Sequence, residues 1–322
     1  MALSDLAVFN EQLYSTMTEV LAQQVDLFNS ASRGTLLLSS SPFRGDYSET
    51  AFFAKVSGLV RRRNPYGAGA VTAKSLKHLV DTMVKVAAGT PPLEMDPSQF
   101  RWIQQNPQIA AAVYAQQLAK DTMADMLNVS IGSLYAALSG QPTVIFDATA
   151  LTPDKLNHRY LNKGVAKFGD YSQEIVAWVM HSTPLHDLYD NGLANGEHLF
   201  TYGTVNIASD AFGRVFVISD CPALMNPGGG TPIYHNLGLV PGAAVITLND
   251  DYDSNVETKN GDENLRRTMQ AEWSYNVGVK GFSWDKTSGG KAPTDAALFT
   301  QANWDRYATS HKDLAGVVVE TN

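Results

Sequence analysis

The sequence predicts an α+β fold organised around one very long helix and one long strand. The helix is indicated by residues 106–140, where Pro107 suits the first helical position and Gly140 suits a helix end. The strand is indicated by residues 269–280, because apolar and polar side chains alternate there without interruption. Between these two elements, short apolar segments separated by turn residues indicate several short strands and helices.

The composition describes an ordered protein without extracellular or membrane features. Of its 322 residues, 44% are hydrophobic and 17% are charged, which excludes a disordered chain. A net charge of −8 argues against a surface that binds nucleic acid throughout, because phosphate binding requires clustered Lys and Arg. The lone Cys221 cannot form an intrachain disulfide, and neither a membrane-length apolar run nor a secretion signal is present. We therefore expect a protein folded in the cytoplasm, with no membrane partner.

Residues 4–29 have the periodicity of an amphipathic helix, with Ser4 as a suitable N-cap. The apolar residues that recur at three- and four-residue steps are Leu6, Phe9, Leu13, Met17, Val20 and Phe28. Such a helix either packs on its own core or docks on a neighbouring chain, and the sequence leaves both open. The turn-rich stretch SSSPFRGDYS, which follows Gly34, predicts a linker.

Residues 50–80 predict a long hairpin, because two β-prone segments flank the turn-rich residues 64–69. Three consecutive arginines, Arg61, Arg62 and Arg63, lie near its tip. Adjacent residues of a strand point to opposite faces, so these arginines cannot form one buried phosphate pocket. A solvated or intermolecular surface is the favoured interpretation, and an exposed hairpin needs a partner to cover it.

The long helix has its apolar face on Met123, Leu127, Ile131, Leu134 and Leu138. About 33 helical residues give a rod of roughly 50 Å. Residues 110–112 and Gln116-Gln117 interrupt any heptad pattern in its first half, so we expect it to lie across a sheet rather than form a coiled coil. The strand at residues 269–280 should bury one face against this helix.

The region between residues 143 and 263 is expected to hold short strands and helices. A helix is expected to begin at Thr152-Pro153. The predicted strands are TVIFDA, EIVAWVMHS, TVNIAS, RVFVISD and AAVITLND.

The stretch WVMHSTPLHDLYDNGL contains the first candidates for chemistry, His181, His186 and Asp187. His181 ends a predicted strand and His186 lies just inside a predicted helix. Their spacing is not the i, i+4 spacing of two zinc ligands on one helix face, and no third ligand follows at a recognisable distance. Polar groups at a helix start are therefore favoured over a metal or acid/base site.

The acidic segment NDDYDSNVE is the second candidate. Asp251, Asp253, Asn255 and Glu257 alternate as in a calcium loop, but the sixth position holds Val256 where that loop requires Gly. A solvated acidic loop is favoured. The sequence also lacks a nucleophile elbow, a phosphate-binding glycine loop and an evident pair of catalytic carboxylates. We therefore expect no enzyme and no cofactor.

The order of elements resembles the major capsid protein of tailed bacteriophages, the Hong Kong 97-type fold. The segments that look like its axial domain are IVAWVMHSTPLHDLYDNGL, TVNIASDAFGRVFVISDCPAL and HNLGLVPGAAVITLNDD. The resemblance implies an N-terminal arm at residues 1–45, an extended hairpin loop at 46–95, an axial domain at 143–263, and a peripheral domain formed by 96–142 with 264–322. In that family the hairpin lies across the adjacent subunit and the long helix is the spine of the peripheral domain.

The resemblance implies self-assembly through hexamers and pentamers into an icosahedral virion shell, built in the host cytoplasm. The shell would enclose double-stranded DNA without sequence-specific binding. A portal protein is an expected partner, a decoration protein is left open, and only about 45 residues precede the hairpin, which favours a separate scaffolding protein over a cleaved N-terminal scaffold domain. The candidate inter-subunit contacts are Arg61, Arg62, Arg63, Tyr66, Asp251 and Asp253. Lys55, Lys74 and Lys77 lie in or near the hairpin, but without an identifiable partner Asn we predict no crosslinking.

Three alternatives stay open at this point. An encapsulin-type nanocompartment would share the fold and enclose a cargo enzyme. A metal-dependent enzyme would use His181, His186 and Asp187. A tail or head-completion protein would be a virion component outside the main shell, although the length of the chain and its long helix argue against it.

Overall fold

A computed structural model describes residues 3–41, 45–53, 60–75, 78–95, 107–195, 207–209, 213–227, 230–259 and 266–322. Within these ranges the side chains of residues 3–11 and of a few residues at segment ends are not described. Leu6, Phe9, Lys55 and Lys77, which the sequence analysis named, therefore lie outside the described side chains.

The described residues form helices of very different length and many short strands. The helices are α1 (Leu3–Ala31), α2 (Pro107–Ser139), α3 (His158–Ala166), α4 (Ser182–Asn195) and α5 (Asp295–Leu298). The strands are β1 (Leu36–Ser40), β2 (Tyr47–Phe53), β3 (His78–Gly89), β4 (Leu93–Met95), β5 (Ile145–Asp147), β6 (Ala177–Met180), β7 (Ile207–Ser209), β8 (Val215–Ile218), β9 (Met225–Asn226), β10 (Ile233–Leu239), β11 (Ala244–Leu248), β12 (Asp253–Lys259), β13 (Arg266–Val279), β14 (Phe282–Trp284), β15 (Trp304–Arg306) and β16 (Gly316–Thr321).

The strand β13 organises the larger of two sheets, here called the large sheet. β11 and β12 pair with one edge of β13, and β3 and β4 pair with the other edge. β1 extends the sheet in parallel beyond β11, β2 extends it beyond β3, and β14 and β15 follow at the end of β13. The long strand β13 is thus the central strand of the large sheet, and the shorter strands pair either with β13 or with one of its neighbours.

The second sheet, here called the small sheet, has the strand order β5-β16-β10-β6-β8-β7. The short strand β9 also pairs with β10. Every residue of β6 is buried, and β10 and β16 are almost entirely buried. Burial on both faces explains why these segments are nearly continuous apolar runs rather than alternating ones. Trp178, on β6, is fully buried at the centre of this sheet.

The helix α2 begins at Pro107 and ends at Ser139, as the terminal signals predict. Its second half is buried in the main core, where Ile131, Leu134 and Leu138 are no more than 1% exposed. Its first half packs instead against α1. The residues in this contact are Leu13, Met17 and Leu21 of α1 and Ala110, Ala111, Ala115 and Ala119 of α2.

The prediction that all of α2 lies across a sheet is therefore correct for its second half and wrong for its first half. Ala110 and Ala111, two of the residues that interrupt the heptad pattern, lie in this contact with α1. Small residues such as these let two helices approach closely. This contact also decides the question left open for the N-terminal helix. The helix α1 packs on α2 of the same chain.

Two further boundaries differ from the predictions. The predicted linker is shorter than expected, because Ser39 and Ser40 belong to β1, which pairs in parallel with β11. The predicted helix start at Thr152-Pro153 is wrong, since α3 begins at His158. There the side chain of Asn157 accepts a hydrogen bond from the Tyr160 backbone N–H at 3.0 Å and caps the helix.

The return strand β13 follows the predicted alternation only in its first half. From Ser274 onward both faces are buried, so the prediction of a single buried face is wrong there. Asn249 explains the difference, because its side-chain amide donates to the Ser274 hydroxyl at 2.9 Å and its oxygen accepts from Asn276 Nδ2 at 2.6 Å. Polar side chains are tolerated in the interior when they satisfy one another in this way. The predicted contact with the long helix is present, since Tyr275 donates to Asp125 at 2.7 Å.

Sheet membership crosses the predicted boundary between residues 263 and 264. β11 and β12 precede it but lie in the large sheet, and β16 follows it but lies in the small sheet between β5 and β10. A strand is placed by its long-range partners and not by its position in the chain. The domain limits therefore stay a prediction.

Candidate assembly interface

The hairpin formed by β2 and β3 carries a long loop whose tip matches the predicted turn. The strands pair from Tyr47 with Val84 to Phe53 with His78. If this register is continued, Pro65 and Tyr66 fall opposite each other, and the structure places the turn at these two residues. Asn64 closes the turn: its carbonyl accepts from the Gly67 backbone at 3.3 Å and its side-chain oxygen accepts from the Tyr66 backbone at 3.0 Å.

The described part of this loop, residues 60–75, is exposed throughout. Tyr66 retains 97% of its accessible surface at the tip. The loop carries Arg61, Arg62, Arg63 and Lys74 and no carboxylate. We call residues 60–75 the basic tip. A large aromatic side chain and a group of like charges with so much exposed surface are typical of a contact with another molecule.

The base of the hairpin, by contrast, is fixed to the end of the large sheet. Glu49 forms an ion pair with Lys286, and Asp46 forms another with Lys291 at 2.7 Å. The ring of Phe52 packs edge-on against Tyr307, with 5.1 Å between ring centres. The base of the hairpin is therefore fixed by contacts within its own chain.

Asp81 lies at this base in a half-buried position on β3. Its Oδ2 is 3.5 Å from the hydroxyl of Tyr307, and its Oδ1 has no hydrogen-bond partner among the described residues. Burial raises the pKa of Asp81 to about 6, and the Tyr307 hydroxyl opposes this only weakly. The folded subunit therefore holds a proton on Asp81 more tightly than the unfolded chain does.

We expect Asp81→Asn to remove a pH dependence of subunit stability. The pKa of Asp81 is about 6 when folded, above its ordinary value of 3.8, so the stability that protonation provides is complete below pH 4 and is lost as the pH rises through 6. Above pH 6 the variant should be more stable than the wild type by about 1–2 kcal/mol, since partial exposure reduces the effect. Chemical unfolding of unassembled subunits between pH 4 and 8 measures this, with Asp46→Asn as the control that should keep the wild-type pH dependence.

The acidic candidates Asp251 and Asp253 occupy different environments. Asp251 accepts a hydrogen bond from the Ser274 backbone at 2.8 Å and forms an ion pair with Lys85 at 3.0 Å. Burial works against its charged form, but the hydrogen bonds from Ser274 and Lys85 outweigh burial and lower the pKa of Asp251. Asp251 therefore already has partners within its own chain.

Asp253 lies on the exposed edge strand β12, opposite Glu272 of β13. Glu257 lies on the same strand, and all three carboxylates border a shallow groove of about 180 Å³. We call this surface the β12 acidic edge. It contains Asp253 but not Asp251, which the sequence analysis grouped with it.

The three residues proposed from the sequence as a chemical site make separate contacts, and the ring of His186 packs edge-on against Tyr189, with 6.4 Å between ring centres. Nδ1 of His181 accepts a hydrogen bond from the Thr183 backbone N–H at 3.2 Å, and its Nε2 lies 3.5 Å from Asp220. His181 therefore satisfies one of the backbone N–H groups that the first turn of α4 leaves without a partner inside the helix. Asp187 forms an ion pair with Lys155 at 3.3 Å. Within the described ranges, no group of three His, Cys, Asp or Glu side chains is arranged to hold a metal ion.

A second groove, which the sequence analysis missed, lies between the middle of α2 and the strands β3 and β13. Its volume is about 450 Å³, and its apolar and aromatic walls come from residues 86–91, Leu118, Trp273 and Tyr275. We call it the spine groove. Its walls come from segments far apart in the chain, so no local sequence signal identifies it. As for membrane contact, no helix among the described residues has the length and apolar character needed to span a bilayer.

A family model for major capsid protein 13-like proteins matches residues 5–318. The chain belongs to this family. It is a major capsid protein, a structural component of the virion that assembles with copies of itself into a shell. A search of curated protein sequences finds no significant match.

The fold of this capsid protein is similar to those of several solved phage capsids. The Cyanophage Pam1 capsid asymmetric unit matches with a TM-score of 0.52 and 11% identity, covering 89% of this chain and 88% of that chain. The acid-stable capsid of Helicobacter pylori bacteriophage KHP30 matches with a TM-score of 0.53 and 10% identity, covering 91% of this chain and 88% of that chain. The capsid of Ralstonia phage GP4 matches with a TM-score of 0.50 and 11% identity, covering 91% of this chain and 88% of that chain. These similarities confirm the predicted Hong Kong 97-type fold.

The family assignment also bears on the alternatives. An encapsulin-type compartment and a metal-dependent enzyme based on His181, His186 and Asp187 find no support in these comparisons. A tail or head-completion role does not agree with a family of major capsid proteins.

Proposed function

We propose that this capsid protein assembles through hexamers and pentamers into the icosahedral head of a tailed phage. The observation that carries the proposal is the basic tip, which is exposed over residues 60–75 although the base of its hairpin is fixed. An exposed projection of this kind is an aggregation hazard in a monomer and becomes an interface in a shell, where every subunit offers the same surfaces to its neighbours.

Each part of the fold has a proposed place in the shell. The small sheet forms the axial domain around the hexamer or pentamer centre, and it includes the C-terminal strand β16. The large sheet and α2 form the peripheral domain, and α1 is an N-terminal arm that lies on α2. This division moves β11 and β12 to the peripheral domain, because they pair with β13.

The candidate contacts between subunits are Arg61, Arg62, Arg63 and Tyr66 on the basic tip and Asp253 on the β12 acidic edge. Asp251 is a weaker candidate, because Lys85 and Ser274 already engage it. A single exposed pair of opposite charges contributes only about 0–1 kcal/mol. Such pairs therefore set the register of the subunits, and stability comes from many contacts formed at once.

The proposed contents of the shell are double-stranded DNA held without sequence-specific contacts. The net charge of −8 supports this proposal, since a strongly basic lining would hinder packaging and release. The proposed partners are a scaffolding protein encoded separately and a portal protein, with a decoration protein left open. We propose a structural role without enzymatic activity, with assembly in the host cytoplasm.

Electron microscopy of the protein expressed alone, and together with the proteins encoded beside it, tests this proposal. We expect closed isometric shells in at least one condition. Shells that require a co-expressed protein would identify the scaffold. A monomer or a small oligomer under every condition would contradict the proposed assembly.

A further inference from the structure

The helix α3, which packs on the small sheet, presents a row of basic side chains on its outer face. Arg159, Lys163 and Lys167 follow one another at four-residue steps, which places them on one face of a helix. Arg159 and Lys167 are exposed, and Lys163 is half-buried. Lys167 follows the last residue of α3 with helical backbone angles, so it continues the row. We call these three residues the α3 basic stripe.

The opposite face of α3 fixes the direction in which this stripe points. Tyr160, Leu161 and Val165 are buried on that face. Gly164 lies so close to β16 that a Cβ atom there would be 2.3 Å from a methyl group of Val319. The helix therefore cannot turn about its axis to bury the basic side chains, and the stripe points away from the small sheet.

The carboxylates nearest to the stripe are engaged by other cations. No carboxylate occurs between Asp154 and Asp170 in the chain. Asp170 forms an ion pair with Lys312, and Asp187 on α4 forms one with Lys155 at 3.3 Å. Among the residues that the structure describes, none of the three stripe side chains forms an ion pair. The stripe is therefore a group of unneutralised positive charges on a chain whose net charge is −8.

The fold of α3 does not require this arrangement of charge. Like charges at four-residue steps repel one another and destabilise a helix. Lys163 and Lys167 suit the C-terminal end of the helix dipole, but Arg159 lies in the first turn, where a positive charge is unfavourable and no acidic residue offsets it. The ammonium group of Lys163 is 5.4 Å from the centre of the Phe146 ring, a contact that helps to hold it on this face. An anionic ligand would relieve the repulsion.

The dimensions of the stripe match those of a DNA backbone. Eight residues separate its first and last members, which at 1.5 Å per residue gives a row of about 12 Å. One strand of a duplex carries a phosphate for every 3.4 Å along the axis, so the row spans roughly three to four phosphates. Arginine and lysine side chains both bind phosphate oxygens, and such contacts require no particular base sequence.

We propose that the α3 basic stripe contacts the phosphate backbone of the packaged DNA, and that this face of α3 lines the inside of the shell. The inference rests on the proposed shell and its proposed contents, and it adds the site at which the two meet. Three charges on each subunit give a weak and salt-dependent contact, in contrast to a strongly basic lining that would hinder release of the DNA.

Binding of a fluorescein-labelled DNA duplex of about 24 base pairs to unassembled subunits tests the site. All proteins in the series carry changes that remove the charge of the basic tip, which are Arg61→Gln, Arg62→Gln and Arg63→Gln. The stripe variant adds Arg159→Gln, Lys163→Gln and Lys167→Gln. Its affinity by fluorescence anisotropy should be at least tenfold lower at 50 mM salt. The slope of log K against log salt should become shallower by about 2.7, because three phosphate contacts are lost.

A matched control removes the same number of positive charges from exposed positions outside the small sheet. It carries Arg33→Gln, Lys120→Gln and Lys280→Gln and should keep its affinity within about twofold. Thermal unfolding checks that every variant is folded. An equal loss in the control, or an unchanged affinity of the stripe variant, would overturn the proposal. Stronger displacement of the labelled duplex by poly-glutamate than by unlabelled duplex at equal charge would assign the stripe to an acidic protein segment and would also overturn it.

The position of the stripe inside the shell has a separate test. An amine-reactive ester carried on polyethylene glycol of about 20 kDa is too large to enter an intact shell, and mass spectrometry locates the labelled lysines. We expect Lys167 to be labelled in unassembled subunits, protected in intact shells and labelled again in shells that are broken open. Labelling in intact shells would place the stripe outside, and protection in broken shells would place it between subunits. Either result would contradict the proposal.

The two proposals fail in different ways. If the wild type forms shells and the stripe variant keeps its affinity for the duplex, the DNA contact is wrong and the proposed assembly stands. If the wild type forms no shell with any of its encoded neighbours, the proposed assembly itself is wrong, whatever the unassembled subunits bind.

Discussion

Replacing residues 61–70 by Asn-Gly should abolish shell formation and leave the subunit as stable as the wild type. If the described register of β2 and β3 is continued, Val60 falls opposite Val71, so a two-residue turn should close the shortened hairpin without shifting either strand. All of the removed residues are exposed, and the change should alter the unfolding free energy by no more than about 0.5 kcal/mol. The loss of assembly would then reflect a lost contact between subunits.

Sedimentation velocity and electron microscopy measure the assembly, and thermal unfolding of the soluble subunit measures its stability. A control protein carries the same segment replaced by a Gly-Ser sequence of equal length. This control keeps the loop and removes its side chains, so we expect it to fail in assembly as well. Shells formed by the shortened protein would show that the basic tip is not an assembly contact.

Gly316→Ala should strongly destabilise the small sheet. Gly316 pairs with Leu239 in the register of β16 with β10, and a Cβ atom there would lie 2.1 Å from the carbonyl oxygen of Gly238. This carbonyl group belongs to the main chain of β10 at the centre of the sheet. It cannot move aside without breaking the pairing of β10 with β16. Overpacking at such a position should cost on the order of 3–5 kcal/mol.

We expect this variant to be recovered mostly as insoluble protein, with the soluble part unfolding at least 10 °C below the wild type. The control is Gly69→Ala, in the basic tip, because a Cβ there meets no atom within 4 Å. It should match the wild type in solubility and thermal unfolding. Wild-type stability of Gly316→Ala would contradict the arrangement of β16 between β5 and β10.

The sequence predicts most reliably the features that depend on neighbouring residues. The ends of α2 follow from Pro107 and Gly140, which act within one helical turn, and the tip of the hairpin follows from Asn64 and Pro65, which form the turn themselves. The three arginines are exposed as predicted, although they lie in a loop and not on a strand as the prediction assumed. These features are confirmed because no distant partner is needed to form them.

Features that depend on distant partners were not predicted. The polar face of the second half of β13 is buried because Asn249, distant in the chain, satisfies Ser274 and Asn276. The alanines of α2 pack against α1, although their pattern alone gave no reason to expect a helical partner. The position of β16 in the small sheet depends on pairing with strands that precede it by many residues.

The same distinction applies to the candidate interface. Arg61, Arg62, Arg63 and Tyr66 were found because a basic segment around a turn is visible in the sequence. The spine groove was missed because its walls combine a helix with two strands that are remote in the chain.

The most direct test of the account is a cryo-electron microscopy reconstruction of the wild-type shell. We expect that each hairpin leaves its own subunit at β2 and β3 and that density for residues 60–75 lies on the surface of an adjacent subunit. We also expect the small sheets to be grouped around the hexamer and pentamer centres. A shell in which residues 60–75 fold back onto their own subunit, or project into solvent without a neighbour, would contradict the proposed assembly.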